Sequence, residues 1–147
     1  MIKYKEIQGK GYMFDRNIKI LIVDDMLVMR KMVINYLEML GYNNVVEVGS
    51  GVKALTILQD QDSGEDKFDL VISDWSMPGL SGIELLKKIR ANDKLKEIPF
   101  IMLTAESETK SLSEAVKEKV SNYITKPFSR KDFEAVLKYT YKKHFEE

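Results

Sequence analysis

Apolar and polar positions change period repeatedly along this chain. Ile18-Lys19-Ile20-Leu21-Ile22-Val23 is short, nearly continuously apolar and rich in β-branched residues. That pattern predicts a strand buried on both faces. It stops at Asp24-Asp25. Met29, Met32, Val33, Tyr36, Leu37 and Leu40 then recur at helical spacing, and Gly41 supplies the stop. Asn44 to Val48 predicts a second strand, and Ser50 is placed to cap a helix with Ala54, Leu55 and Leu58 on its inner face. The polar stretch Gln59 to Lys67, with Ser63-Gly64 inside it, reads as a loop. Phe68 to Ser73 predicts a third strand ending at Asp74, and Pro78-Gly79 turns the chain. Ser81 and Glu84 form a capping box ahead of Leu85, Leu86 and Ile89. Pro99 to Leu103 predicts a fourth strand ending at Thr104. Leu112, Ala115, Val116 and Val120 mark a fourth helix, and Tyr123-Ile124 a short fifth strand stopped by Lys126-Pro127. Ser129 caps a last helix with Phe133, Val136, Leu137 and Tyr141 on one face.

Five strands alternating with five helices predict an α/β fold, a five-stranded parallel sheet with helices on both faces. Residues 18–147 are expected to form one domain. Residues 1–17, with scattered charge and two glycines, are expected to be a flexible N-terminal arm whose Tyr4, Ile7, Tyr12 and Phe14 touch the domain surface. Met13, just ahead of the first strand, is a candidate natural start.

Composition narrows the chemistry. The 147 residues carry 23 Lys+Arg and 23 Asp+Glu, so the formal net charge is +0 and the basic excess of a dedicated nucleic-acid binder is missing. There is no cysteine, which removes disulfides, thiolate metal sites and cysteine nucleophiles. The one histidine, His144, sits near the C-terminus, so neither a Ser-His-Asp site nor a multi-histidine metal site is available. No apolar run approaches the ~20 residues of a membrane span. We therefore expect a cytoplasmic protein without membrane insertion or direct nucleic-acid contact. Its chemistry must rest on carboxylates, lysine, hydroxyls or a hard cation.

The polar residues that break the apolar runs lie where such chemistry would be placed. Asp24 and Asp25 follow the first strand, Asp74 the third, Thr104 the fourth and Lys126 the fifth. Open parallel sheets bind ligands beyond the carboxyl ends of their strands. Three carboxylates and one ammonium in one crevice would carry −2, a joint ionisation that proximity disfavours. Mg²⁺ would cancel that charge, taking oxygen ligands and keeping several waters. Asp25 and Asp74 are the better direct ligands, Asp24 suits a metal-bound water, and the Ser76 carbonyl suits a backbone ligand. A carboxylate also serves as a nucleophile on phosphorus, and Asp74, on the strand expected to be central, is the best placed. Each residue has a plainer reading beside this one. Asp25 caps a helix, Asp74 is a turn aspartate, Thr104 ends a strand and Lys126 is a loop lysine. Those readings leave unexplained why all of them stand at successive strand ends.

Taken together, ILIVDD, VISDWSMPGLSGIELL, IMLTAE and NYITKPF, in this order over about Ile18 to His144, resemble the response-regulator receiver family. SDWSMP, TAE and KPF are most similar to its CheY-type chemotaxis members. The resemblance implies a flavodoxin-like fold with strand order 2-1-3-4-5, taken here from the family and not worked out from the chain. It implies that Asp74 accepts a phosphoryl group from a histidine kinase or a small acyl phosphate. Mg²⁺ would be held by Asp25, Asp74 and the Ser76 carbonyl, with Asp24 in support. It also implies that Lys126 pairs with the phosphoryl group, that Thr104 swings towards it, and that Tyr123 turns inward into the space vacated. Output would then pass through protein contacts of a stand-alone regulator, to a flagellar-motor protein or to the next carrier of a relay. Such a protein is a phosphoacceptor and not an enzyme in the ordinary sense. Two departures from the family pattern stand out. Glu118-Lys119-Val120-Ser121-Asn122 contains no glycine, and position 76 is Ser, which together with Glu106 is expected to tune hydrolysis. Trp75 adjoins the acceptor and reads as a rim aromatic.

Two other functions fit the fold class less well. A phosphohydrolase using an aspartyl phosphate, similar to the haloacid dehalogenases, wants an aspartate where Ser76 stands. A flavin or nucleotide binder wants a glycine-rich phosphate cradle after the first strand, where this chain has DDMLVM.

Overall fold

The computed structural model describes residues 4–7, 11–61, 66–105 and 112–145. Two short strands, β1 (Tyr4–Ile7) and β2 (Gly11–Phe14), come first. They are followed by β3 (Ile20–Val23), α1 (Leu27–Met39), β4 (Val45–Val48), α2 (Gly51–Asp60) and β5 (Leu70–Asp74). Then come α3 (Gly82–Arg90), β6 (Phe100–Thr104), α4 (Leu112–Lys117), β7 (Asn122–Thr125) and α5 (Arg130–Phe145). The five later strands pair in parallel in the order β4-β3-β5-β6-β7. Counted among themselves this is 2-1-3-4-5, with β5 in the middle. Among the described residues, no helix is long and apolar enough to cross a membrane.

Every residue of β3, β5 and β6 is buried, which is why these segments read as unbroken apolar runs. The strand period of two divides them between two cores. Leu21, Val23, Val71, Phe100 and Met102 pack with Ala54, Leu58, Leu85, Leu86 and Ile89. Ile20, Ile22, Leu70, Ile72, Ile101 and Leu103 pack with Val33, Leu37, Phe133, Leu137 and Tyr141 on the other side. Slipping any of these strands by one residue would exchange the two sets, so the register is strongly specified. That register fixes which residues end each strand.

The helix ends follow the predicted chemistry. The Ser50 hydroxyl accepts the Lys53 amide at 3.1 Å. Ser81 and Glu84 make both bonds of a capping box, at 3.2 and 3.1 Å. Ser129 and Asp132 exchange a similar pair. Gly41 takes φ +94°, while the Tyr42 amide donates to the Leu37 carbonyl and the Gly41 amide to that of Glu38. This is a complete Schellman stop. α4 ends in the same motif without glycine. The Val120 amide donates to the Ala115 carbonyl and the Lys119 amide to that of Val116, so Lys119 is forced to φ +61°. A lysine held there costs about 1 kcal/mol. Lys119→Gly should therefore stabilise the fold by about 0.5–1 kcal/mol, net of glycine's extra freedom when unfolded. Urea unfolding of the two proteins checks this, and a lower midpoint for the glycine variant would contradict it.

Three expectations are corrected. The segment 1–17 is not a loose arm where it is described: β1 and β2 form an antiparallel hairpin, and Met13 and Phe14 are fully buried. Phe14 meets Tyr141 edge-on at 5.6 Å and Phe145 at 6.0 Å, and its carbonyl accepts the Tyr42 hydroxyl at 2.8 Å. Second, Asp74 and Thr104 are the last residues of β5 and β6 and not the first of the loops, so the sheet itself holds them. Third, Ile18 and Lys19 precede β3. There the Asp69 carboxylate takes the Lys19 amide at 2.9 Å, a side chain standing in for a ladder partner. The Ser63-Gly64 turn and Glu106 lie outside the described residues.

Candidate functional site

The carboxyl ends of β3, β5, β6 and β7 open on one crevice. One carboxylate oxygen from each of Asp24, Asp25 and Asp74 lies within 4.8 Å of the other two. The Lys126 ammonium, just past β7, donates to Asp74 Oδ1 at 2.6 Å and stands 4.0 Å from Asp24 Oδ2. Asp24 and Asp74 are buried and Asp25 is exposed. Thr104 closes the group from β6, where the Lys126 amide donates to its carbonyl at 2.7 Å.

The turn after β3 decides the role of each aspartate. α1 has no side-chain cap of its own. Asp24 takes the Met26 amide at 2.9 Å instead, and this leaves Asp25 free to face the crevice instead of capping the helix. Arg30, on the first turn of α1, donates to the Asp24 carbonyl at 2.7 Å and is itself paired with Glu47 on β4 at 2.9 Å. Opposite, the Gly82 amide donates to the Trp75 carbonyl at 2.8 Å. A β-carbon at Gly82 would sit 2.1 Å from the Asp74 carbonyl oxygen, so α3 starts directly against the strand that carries Asp74. Arg30, Glu47 and Gly82 were not singled out from sequence. Only Gly82 left a trace there, as a glycine inside a capping box that does not itself require one.

Two atoms carry the electrostatic argument. Among the described residues, Asp24 Oδ2 and Thr104 Oγ1 are buried and have no hydrogen-bond partner. An unpartnered buried polar atom costs about 1–3 kcal/mol, so both point to something else the site is built to receive. Burial, mainly, pushes the Asp24 carboxyl up to about 6. The Met26 amide pulls it down, the Asp74 charge pushes it up, and Lys126 and Asp25 act more weakly in opposite senses. A divalent cation fits this arrangement. At Mg²⁺–oxygen bonds of about 2.1 Å, opposite ligands of an octahedron stand about 4.2 Å apart, close to the observed spread.

Of the remaining predicted residues, Ser76 is exposed two positions past Asp74. Tyr123, on the edge strand β7, is exposed. Trp75 is buried and not a rim residue; its amide donates to the Leu103 carbonyl at 3.0 Å. His144 is far from the crevice, 2.6 Å from the Ser121 hydroxyl.

The response regulator receiver domain pattern matches residues 20–138. The chain is 47% identical over 115 residues to chemotaxis protein CheY-3 of Vibrio cholerae, covering 78% of this chain and 85% of that one. It is 42% identical over 128 residues to chemotaxis protein CheY of Pseudomonas aeruginosa, covering 87% and 96%. Among solved structures it is similar to V. cholerae CheY4, with a TM-score of 0.69 and 32% identity over 82% of this chain and 99% of that one. It is also similar to the receiver domain of a P. aeruginosa sensor histidine kinase solved with a magnesium ion coordinated in its active-site cleft. That match has a TM-score of 0.73 and 26% identity over 85% and 98% of the two chains.

Proposed function

The chain belongs to the response regulator receiver family, and from that premise we propose that it is a phosphorylation-switched signalling protein with Asp74 as its phosphoacceptor. The observation that carries this is the Asp74–Lys126 contact at 2.6 Å inside a three-aspartate cluster at the end of the central strand. An Asp74 carboxylate oxygen attacks the donor's phosphorus. A P–O bond forms as the P–N bond of a phosphohistidine, or the P–O bond of an acyl phosphate, breaks, and the bond pair leaves with the donor. Lys126 moves its hydrogen bond from the carboxylate to a phosphoryl oxygen. The unspent Thr104 hydroxyl gives that oxygen set a second donor. Asp25, Asp74 and the Ser76 carbonyl are the residues that would hold Mg²⁺, with Asp24 in support. Bound there, the ion would supply charge neutralisation for the equatorial oxygens.

The partner on one side is a histidine kinase. On the other it is a protein that reads the face of α4, β7 and α5, where Val116, Tyr123 and Tyr139 are exposed. Thr104 drawn to the phosphoryl group vacates space for the Tyr123 ring, a local charge event biasing a two-state surface. The relatives' chemotaxis names favour a flagellar-motor protein as that reader, in the cytoplasm. The likeness to a sensor kinase's receiver domain favours a second reading, a carrier within a multi-step relay.

Trp75 offers the test. It adjoins Asp74 and is the chain's one tryptophan, so its emission should change in two stages, first with Mg²⁺ and again with acetyl phosphate. Emission unmoved by saturating Mg²⁺ would remove the metal site. A pull-down with the host's flagellar switch protein, retained only when Asp74 is phosphorylated, separates the motor reading from the relay.

A further inference from the structure

The geometry points to Arg30 as a positioning residue: anchored by Glu47, its guanidinium clamps the turn that carries Asp24 and Asp25 in the shape that receives a divalent cation. This rests on the proposed Mg²⁺ site and adds to it a side chain that touches neither the ion nor the phosphoryl group.

Asp24 and Asp25 stand between the end of β3 and the start of α1, and two bonds tie that backbone to β4. The first is direct. The Asp24 amide donates to the Val48 carbonyl at 3.2 Å, continuing the β3–β4 pairing by one bond. The second runs through Arg30. The Asp24 carbonyl lies ahead of Met26, the N-cap, and so outside the bonding pattern of the helix. Arg30 Nη1 donates to it at 2.7 Å. That carbonyl and the Asp25 amide share one planar peptide unit. Holding the carbonyl therefore sets the direction in which the chain enters Asp25. Asp25 is exposed, so its place at the crevice depends on this backbone and not on packing.

The half-buried guanidinium is held in turn. Its Nε donates to Glu47 Oε1 at 2.9 Å, and the Lys31 ammonium donates to Glu47 Oε2 at 2.6 Å. A planar fork that spans a carboxylate and a carbonyl is a geometry that an ammonium does not reproduce. Glu47 pairs with Ile22 and so lies, two residues after Val45, on the sheet face that α1 covers. A charge turned inward on an edge strand has a plainer reading, which is to discourage a further strand from pairing there. That reading leaves unexplained the second bond of the same guanidinium, to the Asp24 carbonyl. Glu47 has a further effect on the site. Arg30 brings positive charge towards a place meant for a cation, and the carboxylate offsets it.

Replacing Arg30 changes cation binding in opposite senses according to its role. Loss of a nearby positive charge, by itself, tightens Mg²⁺ binding, whereas loss of the clamp loosens it. The probe is Mg²⁺ alone, titrated into the full chain and followed by backbone amide shifts in NMR. Arg30→Met should weaken binding about ten-fold, the usual cost of removing a group that orients metal ligands. Arg30→Lys should weaken it comparably, since it keeps the charge and loses the fork. Lys31→Met removes the same charge from the same Glu47 without touching the turn, and should bind as the parent does or slightly better. Hydrogen exchange in EDTA supplies a readout that needs no cation. The Met26 amide, bonded to Asp24 Oδ1, should exchange about ten-fold faster in Arg30→Met when measured against the amides of β5. Equal acceleration in both places makes Arg30 a residue of general stability and overturns the clamp. Unchanged or tighter Mg²⁺ binding by Arg30→Met overturns it as well, as does equal weakening by Lys31→Met. Parental affinity in Arg30→Lys overturns the two-point anchoring. A parent that takes up no Mg²⁺ removes the cation site and the clamp's purpose with it, a result distinct from a parent and a variant that bind alike.

Discussion

Asp74→Asn should fold as the parent does and take up no phosphoryl group from acetyl phosphate and Mg²⁺, where the parent takes up one. The three aspartates are not equivalent. Asp24 has committed Oδ1 to the Met26 amide, and its other oxygen lies at the buried floor of the crevice. Asp25 is exposed on the β3 side. Asp74 ends the central strand, with β3 and β6 on either side and a lysine already within hydrogen-bond distance. An attacking oxygen there has its neutralising groups on more than one side before the donor arrives, and positioning of that kind supplies most of the catalysis of phosphoryl transfer. Asparagine keeps the shape and still offers an oxygen to Lys126, but it lacks the negative oxygen that forms the bond. Intact-mass measurement of both proteins after the same exposure decides the matter. A labelled asparagine variant would move the acceptor to another residue and take the switch argument with it. Melting the two proteins side by side shows whether both are folded.

The residues of this site were legible because each one interrupts an apolar run. A fully buried strand tolerates a polar side chain mainly at its end, so Asp24, Asp74 and Thr104 announce the ends of β3, β5 and β6, and Lys126-Pro127 stops the half-buried β7 beside them. The hairpin was not legible. Phe14 is buried by Tyr141, Phe145 and the Tyr42 hydroxyl, partners from the distant helices' ends, and nothing within residues 1–17 announces them. Arg30 was hidden for a similar reason: on the sequence it is one more charged residue of a helix, and only the parallel pairing of β3 with β4 brings Glu47 to it. The missing glycine before the last strand was visible as an anomaly. The backbone shows that the stop needing it is still made, with Lys119 carrying the strain.

Without Mg²⁺ the protein should become more stable as the pH is lowered from 7 towards 5, against the usual behaviour of a carboxylate-rich fold. The cause is Asp24. Its carboxyl is raised from an ordinary 3.8 to about 6, so the folded chain holds a proton there that the unfolded chain has released. Where the native state binds more protons, stability falls as pH rises, here across the interval from 3.8 to 6. At pH 7 the ionised, buried Asp24 costs about 3 kcal/mol. Glu47, held down chiefly by hydrogen bonds from Lys31 and Arg30, works in the other direction, but only near and below 4.5. Mg²⁺ should invert the trend. It stabilises the ionised cluster by about 2.7 kcal/mol at a hundred times its dissociation constant. That gain should shrink below pH 6, as protons compete for the same oxygens. Urea unfolding at pH 5 to 8, with Mg²⁺ and with EDTA, measures both slopes. Asp24→Asn should flatten the slope in EDTA and reduce the Mg²⁺ gain together, because one buried carboxylate is responsible for both. If the variant keeps the parent's slope, the strain resides elsewhere in the crevice and Asp24 is not the residue through which the cation stabilises the fold.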